Sequence, residues 1–107
     1  MSSTFKVGNN RAGDPTWWLY AANDKMIAWA GETFASTGNA TRAANAFKSG
    51  AATARYEVYE DTGSHWRWRA WRSSDKVAAS GESFSSKYSA ERAAENVRDS
   101  AGGASGP

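Results

Sequence analysis

Apolar and polar residues alternate along several short segments, which is the pattern of a β-strand with one buried face. The segments FKV and YEVYE alternate in this way, and each is followed, after a polar loop, by a tryptophan-rich run, TWWLY or HWRWRAWR. A tight polar turn then leads to MIAWAGETF in the first half of the chain and to KVAASGESF in the second. The pattern predicts a meander of three short strands in each half.

After each meander the apolar residues recur with the period of a helix. They are Ala40, Ala43, Ala44 and Phe47 in the first half, and Ala90, Ala93, Ala94 and Val97 in the second. The spacing i, i+3, i+4, i+7 places each set on one helical face. Asn39 and Ser89 stand just before these sets and are predicted to be N-caps. Because most of each face is alanine, the helix can lie close against a sheet that carries large aromatic side chains.

The two halves are similar at a fixed spacing of 50 residues, which predicts a tandem repeat. The matched pairs include Trp18/Trp68, Ala28/Ala78, Gly31/Gly81, Glu32/Glu82, Phe34/Phe84, Ser36/Ser86, Ala40/Ala90 and Arg42/Arg92. The first strands match as well once the first loop is allowed one extra residue. A single copy would have a core at the lower size limit for independent folding, so the two copies are expected to share one sheet.

We therefore predict an α+β fold in which two tandem β-β-β-α repeats form one antiparallel sheet, with both helices packed on one face. Residues 1–107 are expected to form a single domain, with repeat one over about 4–50 and repeat two over about 55–100. The tail AGGASGP, residues 101–107, is expected to be disordered.

The second half contains WRWR, then VAASGESFSSKYSAE, and then the alanine-faced helix. In this succession it resembles the YegP-like family, also called DUF1508 or UPF0339. The first half departs from the family pattern, with WWLY in place of WRWR. The resemblance covers almost the whole chain and implies the same fold of two β-β-β-α units, but it implies no particular biochemical activity. Function has to be argued from the surface.

Strand alternation sorts the tryptophan-rich runs onto two faces. Trp18 and Trp68 are assigned to the core beneath the helices, because their face is apolar in both halves. The opposite face has no helix left to cover it. Its predicted residues, which form the candidate interaction face, are Trp17, Leu19, Arg67, Arg69 and Trp71.

Three interpretations of this face stay open. It is a solvated strand surface, or it contacts a protein partner or a second copy of the chain, or it binds single-stranded nucleic acid. Trp17, Leu19 and Trp71 beside two arginines have the composition of a protein interface. A nucleic-acid surface would use Arg67, Arg69, Trp71 and Trp17, but only one half offers arginines, so this interpretation ranks below protein contact.

Composition adds little for or against these partners. The chain has 13 Lys+Arg, 11 Asp+Glu and a formal net charge of +2, which does not by itself call for a polyanion. There is no cysteine, no apolar run long enough for a membrane span and no leader-like apolar stretch at the N-terminus, so a soluble cytoplasmic protein is expected.

Catalytic chemistry has one weak candidate. Glu32 and Glu82 both stand in a G-E-x-F context and could form an acid/base pair if they lay close together. Neither has a histidine or metal-ligand cluster beside it, and the one histidine, His65, stands in a loop. No cofactor, metal site or small-molecule substrate is implied. We therefore expect a non-catalytic binding or accessory module, with an enzyme that uses Glu32 and Glu82 as the remaining alternative.

Overall fold

The computed structural model describes residues 3–107, and the order strand, strand, strand, helix occurs twice along them. The first unit consists of β1 (Thr4–Asn9), β2 (Pro15–Tyr20), β3 (Met26–Trp29) and α1 (Thr37–Gly50). The second consists of β4 (Arg55–Glu60), β5 (Trp66–Arg72), β6 (Asp75–Ser80) and α2 (Lys87–Ser100), followed by a short 3₁₀ turn, Ala101–Gly103.

The six strands form one sheet in the order β1-β2-β3-β6-β5-β4, and all of their pairings are antiparallel. The third strands of the two units meet in the middle, where Ala28 pairs with Ser80 and Trp29 with Ala79. The α+β prediction is therefore confirmed, with one shared sheet instead of two separate ones.

Both helices pack on the same face of this sheet. On the β1–β2 side Trp17 stacks on Phe47 of α1, with ring centroids 5.3 Å apart. On the β4–β5 side α2 packs over β4 and β5, where Trp68 is fully buried. Buried alanines let both helices approach closely: Ala40 and Ala44 in α1, Ala90 and Ala94 in α2.

The N-cap of each helix lies three residues before the predicted one. The N-caps are Ser36 and Ser86, whose hydroxyls accept hydrogen bonds of 3.1 Å from the backbone N–H of Asn39 and Ser89. The prediction that Asn39 and Ser89 cap the helices was wrong. A serine side chain three residues before an N–H satisfies a donor that has no partner inside the helix, and both units use this device.

The predicted disorder of residues 101–107 was also wrong. Ala101 and Ala104 are buried, and the 3₁₀ turn lies between the two helices. Beyond it, Ser105 bridges Thr4 in parallel and its carbonyl accepts a 2.8 Å hydrogen bond from Phe5 N–H. The small residues of AGGASGP fit into the gap between the helices and cover the edge strand β1. Its composition predicted disorder because composition does not show that the folded protein offers this segment a place to pack.

The structure corrects the register of the repeat in β2. Val7 pairs with Trp17 in the first unit, and Val58 pairs with Trp68 in the second, so Trp17 is the counterpart of Trp68 at a spacing of 51 residues, not 50. The loops before these strands have equal lengths. Asn10 Oδ1 accepts from the N–H groups of residues 12 and 14, just as Asp61 Oδ1 accepts from those of residues 63 and 65.

The extra residue lies instead in the turn between the second and third strands. Leu19 pairs with Ala28, and its counterpart Ala70 pairs with Ala78, which leaves one residue more in the first turn. A β-bulge follows in both units, with Ile27 and Val77 as the additional residues. Because side chains alternate along a strand, a shift of one residue exchanges the two faces of β2.

Candidate functional site: the open face of the sheet

The face opposite the helices is covered by no other element among residues 3–107, and we call it the open face. Strand alternation and the pairing register place a mixed set of aromatic and charged side chains on it. We call its β1–β3 part the aromatic half: Lys6, Trp18, Tyr20, Met26 and Trp29. We call its β4–β6 part the arginine half: Arg55, Glu57, Tyr59, Arg67, Arg69, Trp71 and Lys76.

Two of the residues predicted for this face are not on it. Trp17 and Leu19 are both 0% exposed and belong to the core on the helix side. Trp18 and Tyr20, the next residues along the strand, take their place and are half-buried. The assignment of Trp18 to the core was therefore wrong, whereas that of Trp68 agrees with its complete burial. The cause is the one-residue difference in the turn described above.

The other three predicted residues, Arg67, Arg69 and Trp71, do lie on the open face. There they form hydrogen bonds to carboxylates and cation–π contacts with aromatic rings. Arg69 Nε donates to Glu57 Oε1 over 2.6 Å, and Trp71 Nε1 donates to the same oxygen over 3.1 Å. The Arg69 guanidinium also lies 4.3 Å from the ring centroid of Tyr59 and 5.4 Å from that of Trp71. Arg67 pairs with Asp61 over 2.9 Å. The two arginines and the Trp71 indole N–H therefore already have partners within this cross-strand network.

The network shifts the titration of its two acids. Hydrogen bonds from Arg69 and then Trp71 lower the pKa of Glu57 below its ordinary value. The side chain of Arg67, followed by the backbone N–H of His65, lowers the pKa of Asp61 in the same way. Hydrogen bonds that favour the charged form of a carboxyl always act in this direction.

This shift predicts how the arginine half responds to acid. Because the pKa of Glu57 is lowered on folding, its contribution to stability is present above the pKa of the unfolded chain and is lost as the pH falls through the lower, folded value. The indole N–H signal of Trp71 should move with the same midpoint, below the ordinary value for glutamate, in an NMR titration.

Glu57→Gln is the matched control for this titration, because the amide keeps an oxygen for Trp71 but does not ionise. The movement of the Trp71 signal at that midpoint should disappear in the variant. A Trp71 signal that titrates unchanged in Glu57→Gln would show that another group reports on it.

The aromatic half carries fewer internal contacts. Trp18 and Trp29 are directly opposite each other on neighbouring strands, and Lys6 lies opposite Trp18 on the other side. The Lys6 ammonium is 5.5 Å from the centroid of the Tyr20 ring. No acidic side chain pairs with Lys6 within the described residues. The aromatic half thus presents three half-buried rings beside a cation without an acidic partner.

The net positive charge of the protein is concentrated on the open face. Five of the 13 bases lie there: Lys6, Arg55, Arg67, Arg69 and Lys76. Two of the 11 acids accompany them, Glu57 on β4 and Asp61 in the adjoining loop. The open face therefore has a formal charge of +3, and the eight bases and nine acids elsewhere sum to −1.

The two repeated glutamates are not brought into one site. Glu82 lines a cleft of about 390 Å³ beside α2 and pairs with Lys25 over 2.7 Å. Glu32 lines a different cleft, beside α1. In the part of the chain that the structure describes, no three His, Cys, Asp or Glu side chains gather as metal ligands, and no helix is long and apolar enough to cross a membrane.

Sequence reasoning missed three rings of the open face, Trp18, Tyr20 and Trp29. A usable signal was present, because the spacing of 51 that relates Phe5-Lys6-Val7 to Tyr56-Glu57-Val58 continues through the next strand. Continued in this way, it aligns Trp17 with Trp68 and Tyr20 with Trp71. Asn10 and Asp61 match at the same spacing of 51, which carries the repeat through the first loop and places the extra residue in the turn after the strand.

Comparison with solved structures identifies the fold. The chain is similar to the solution NMR structure of a UPF0339 protein of Shewanella oneidensis, with a TM-score of 0.79, 14% identity, and coverage of 95% of this chain and 86% of that one. It is also similar to that of yegP from E. coli, a protein of unknown function, with a TM-score of 0.81, 16% identity, and coverage of 99% and 90%. No family model and no curated protein matches the chain. The chain thus has the YegP-like fold that the sequence resemblance implied.

Proposed function

We propose that the chain is a small cytoplasmic, non-catalytic binding module that acts through the open face. The observation that carries the proposal is the combination of an uncovered sheet with three half-buried rings, Trp18, Tyr20 and Trp29, on its aromatic half. Aromatic side chains bury large areas on contact and dominate the energetics of binding surfaces. A half-buried ring held by its neighbours loses little conformational freedom on binding.

The corrected register changes the argument for the kind of partner. The sequence favoured a protein partner because Trp17 and Leu19 were predicted to make the face apolar. Both residues are in the core. The actual face is more polar, with cations beside the rings. The preference for a protein over an anionic polymer therefore loses its main support.

Catalysis by Glu32 and Glu82 has less support than binding. A shared proton or substrate needs the two carboxyls in one cleft, and they line different clefts. Glu82 is moreover engaged by Lys25. The absence of cysteine fits the reducing cytoplasm in which we place the module.

The six tryptophans provide a direct test. In protein labelled with ¹⁵N at the indole nitrogens, an extract of the native cells should shift or broaden the signals of Trp18, Trp29 and Trp71. The signals of Trp17 and Trp68 should stay in place, because both rings are 0% exposed on the other side of the sheet. The double variant Trp18→Ala/Trp29→Ala should remove the response at Trp71.

Tyr88→Ala is the matched control, because Tyr88 is the exposed ring of the helical side, at 65% exposure. This variant should respond to the extract as the parent protein does. No selective change at the face tryptophans, or equal broadening of all six signals, would contradict the proposed function.

A further inference from the structure

We propose that the partner of the open face is single-stranded nucleic acid, with unpaired bases stacked on the aromatic half and phosphates held by the cations around it. This inference rests on the proposed function and names the class of its partner. It follows from the distribution of charge, from the placement of the rings and from the width of the sheet.

The charge distribution selects a polyanion and disfavours a second copy of the chain. The open face has a formal charge of +3, whereas the remainder of the protein, at −1, is close to neutral. Two copies that met through this face would bring like charges together. A strand of phosphates, in contrast, gains because lysine and arginine side chains release its condensed counterions into the solvent.

Three of the five cations have no acidic partner within residues 3–107 and are available for phosphates. They are Lys6, Arg55 and Lys76, whereas Arg67 and Arg69 are held by Asp61 and Glu57. Lys6 stands at one side of the sheet, on β1, and Arg55 at the other, on β4. Lys76 lies between them on β6. These cations can therefore contact a backbone that crosses the strands.

The rings select unpaired bases over a generic anion. Trp18 and Trp29 are direct neighbours on adjoining strands, and Tyr20 follows two residues along the strand from Trp18. Every base has a π-face that can stack on such rings, and stacking of this kind does not depend on sequence. The carboxylates of an acidic peptide have no π-face with which to stack on these rings.

The two halves of the face are expected to contribute differently. Tyr59 and Trp71 already have the Arg69 guanidinium above them, and Arg55 lies 5.7 Å from the centroid of the Trp71 ring. Bases should therefore stack on the aromatic half, and the arginine half should act through its charge. The division predicts that losing Trp18 weakens binding more than losing Trp71 does.

The width of the sheet argues against recognition of a duplex through its major groove. Six strands at about 4.8 Å spacing form a surface roughly 24 Å across. The major groove of B-form DNA is about 12 Å wide and admits a helix or a two-stranded ribbon. The open face cannot enter it, and in a duplex the flat faces of the bases are already stacked on one another.

The test measures the fluorescence anisotropy of a labelled 16-nucleotide oligo-dT as protein is added, over a range of salt concentrations. Trp18→Ala and Trp29→Ala should each weaken binding about 10-fold or more, because stacking on one ring is lost. Trp71→Ala should weaken it less, and Trp18→Phe should retain most of the affinity. Lys6→Gln and Lys76→Gln should each reduce the slope of log K against log salt by about 0.7.

Two controls keep the result interpretable. Tyr88→Ala should bind within twofold of the parent, since Tyr88 lies on the other side of the protein. The indole signals of Trp17 and Trp68 should be unchanged in each variant, which verifies the fold. The proposal is overturned by no binding to oligo-dT at about 20 mM salt, where phosphate contacts are least screened. It is also overturned by equal binding to a 16-base-pair duplex or to polyglutamate, or by an affinity of Trp18→Ala that equals that of the parent protein.

Treating the cell extract with nuclease or protease separates this inference from the function on which it rests. Loss of the tryptophan response after nuclease alone supports nucleic acid. A response that survives nuclease and disappears after protease overturns the inference but leaves the open face as a binding surface. The absence of any response overturns both.

Discussion

Replacing Trp17 with alanine should lower the free energy of unfolding by about 3–5 kcal/mol. The ring is completely buried and forms the centre of an aromatic cluster, stacked on Phe47 at 5.3 Å and in edge contact with Phe5 at 5.5 Å. Its removal opens a cavity between the sheet and α1. Neither Phe5 nor Phe47 can fill this cavity without losing its contact with the other ring. Denaturant titration followed by circular dichroism measures the loss.

Trp18→Ala is the matched comparison, because it removes the same side chain one position away. Trp18 is half-buried on the open face, so its loss should cost only about 1 kcal/mol, in the range of one cross-strand pair. Equal losses for the two variants, or a larger loss for Trp18→Ala, would contradict the register of β2.

Trp17→Phe provides a folded intermediate if Trp17→Ala proves too unstable to measure. Within the described residues the Nε1 of Trp17 has no hydrogen-bond partner, so phenylalanine gives up volume but no hydrogen bond. Its cost should fall between those of the other two variants.

Gly81→Ala should cost about 3 kcal/mol, at the upper end of what overpacking usually costs. A Cβ at this position would stand 2.4 Å from the carbonyl oxygen of Met26 and 2.9 Å from its carbonyl carbon. Both atoms are backbone and cannot turn aside as a side chain would. They belong to the start of β3, next to the junction of the two units, so relieving the clash would strain the centre of the sheet.

Gly103→Ala is the control for this prediction. No heavy atom beyond the adjoining backbone lies within 4 Å of the Cβ position at Gly103, and the change should stay within about 0.5 kcal/mol. Thermal unfolding of both variants measures the difference. A melting temperature of Gly81→Ala that matches the parent would show that β3 and β6 do not approach each other as closely as described.

The elements and their layering were predictable from local patterns. Alternation marked all six strands, and the alanine-rich faces marked both helices and the side of the sheet on which they pack. These signals depend only on the period of the side chains, which any chain segment displays by itself. The resemblance of WRWR and its following segment to the YegP-like family led to the same fold, which the solved structures confirm.

The candidate site was only half predictable. Arg67, Arg69 and Trp71 were placed correctly because WRWR alternates without ambiguity and the same period, continued through Ala70, puts Trp71 on the face of the arginines. In TWWLY two tryptophans stand side by side, and either can point to the core. The match of Trp18 with Trp68 at the spacing of 50 then favoured Trp18 as the core residue. The strand register instead makes Trp17 the counterpart of Trp68.

By itself the sequence determined the α+β class, the number of elements and the apolar faces of both helices, because these follow from the periods of neighbouring residues. Only the tertiary structure decided which of Trp17 and Trp18 is buried, since that depends on the hydrogen-bonded register of β1 with β2 and on the turn that absorbs one residue. It also decided that residues 101–107 are ordered, because their place between the helices and along β1 exists only once both units have folded against one another.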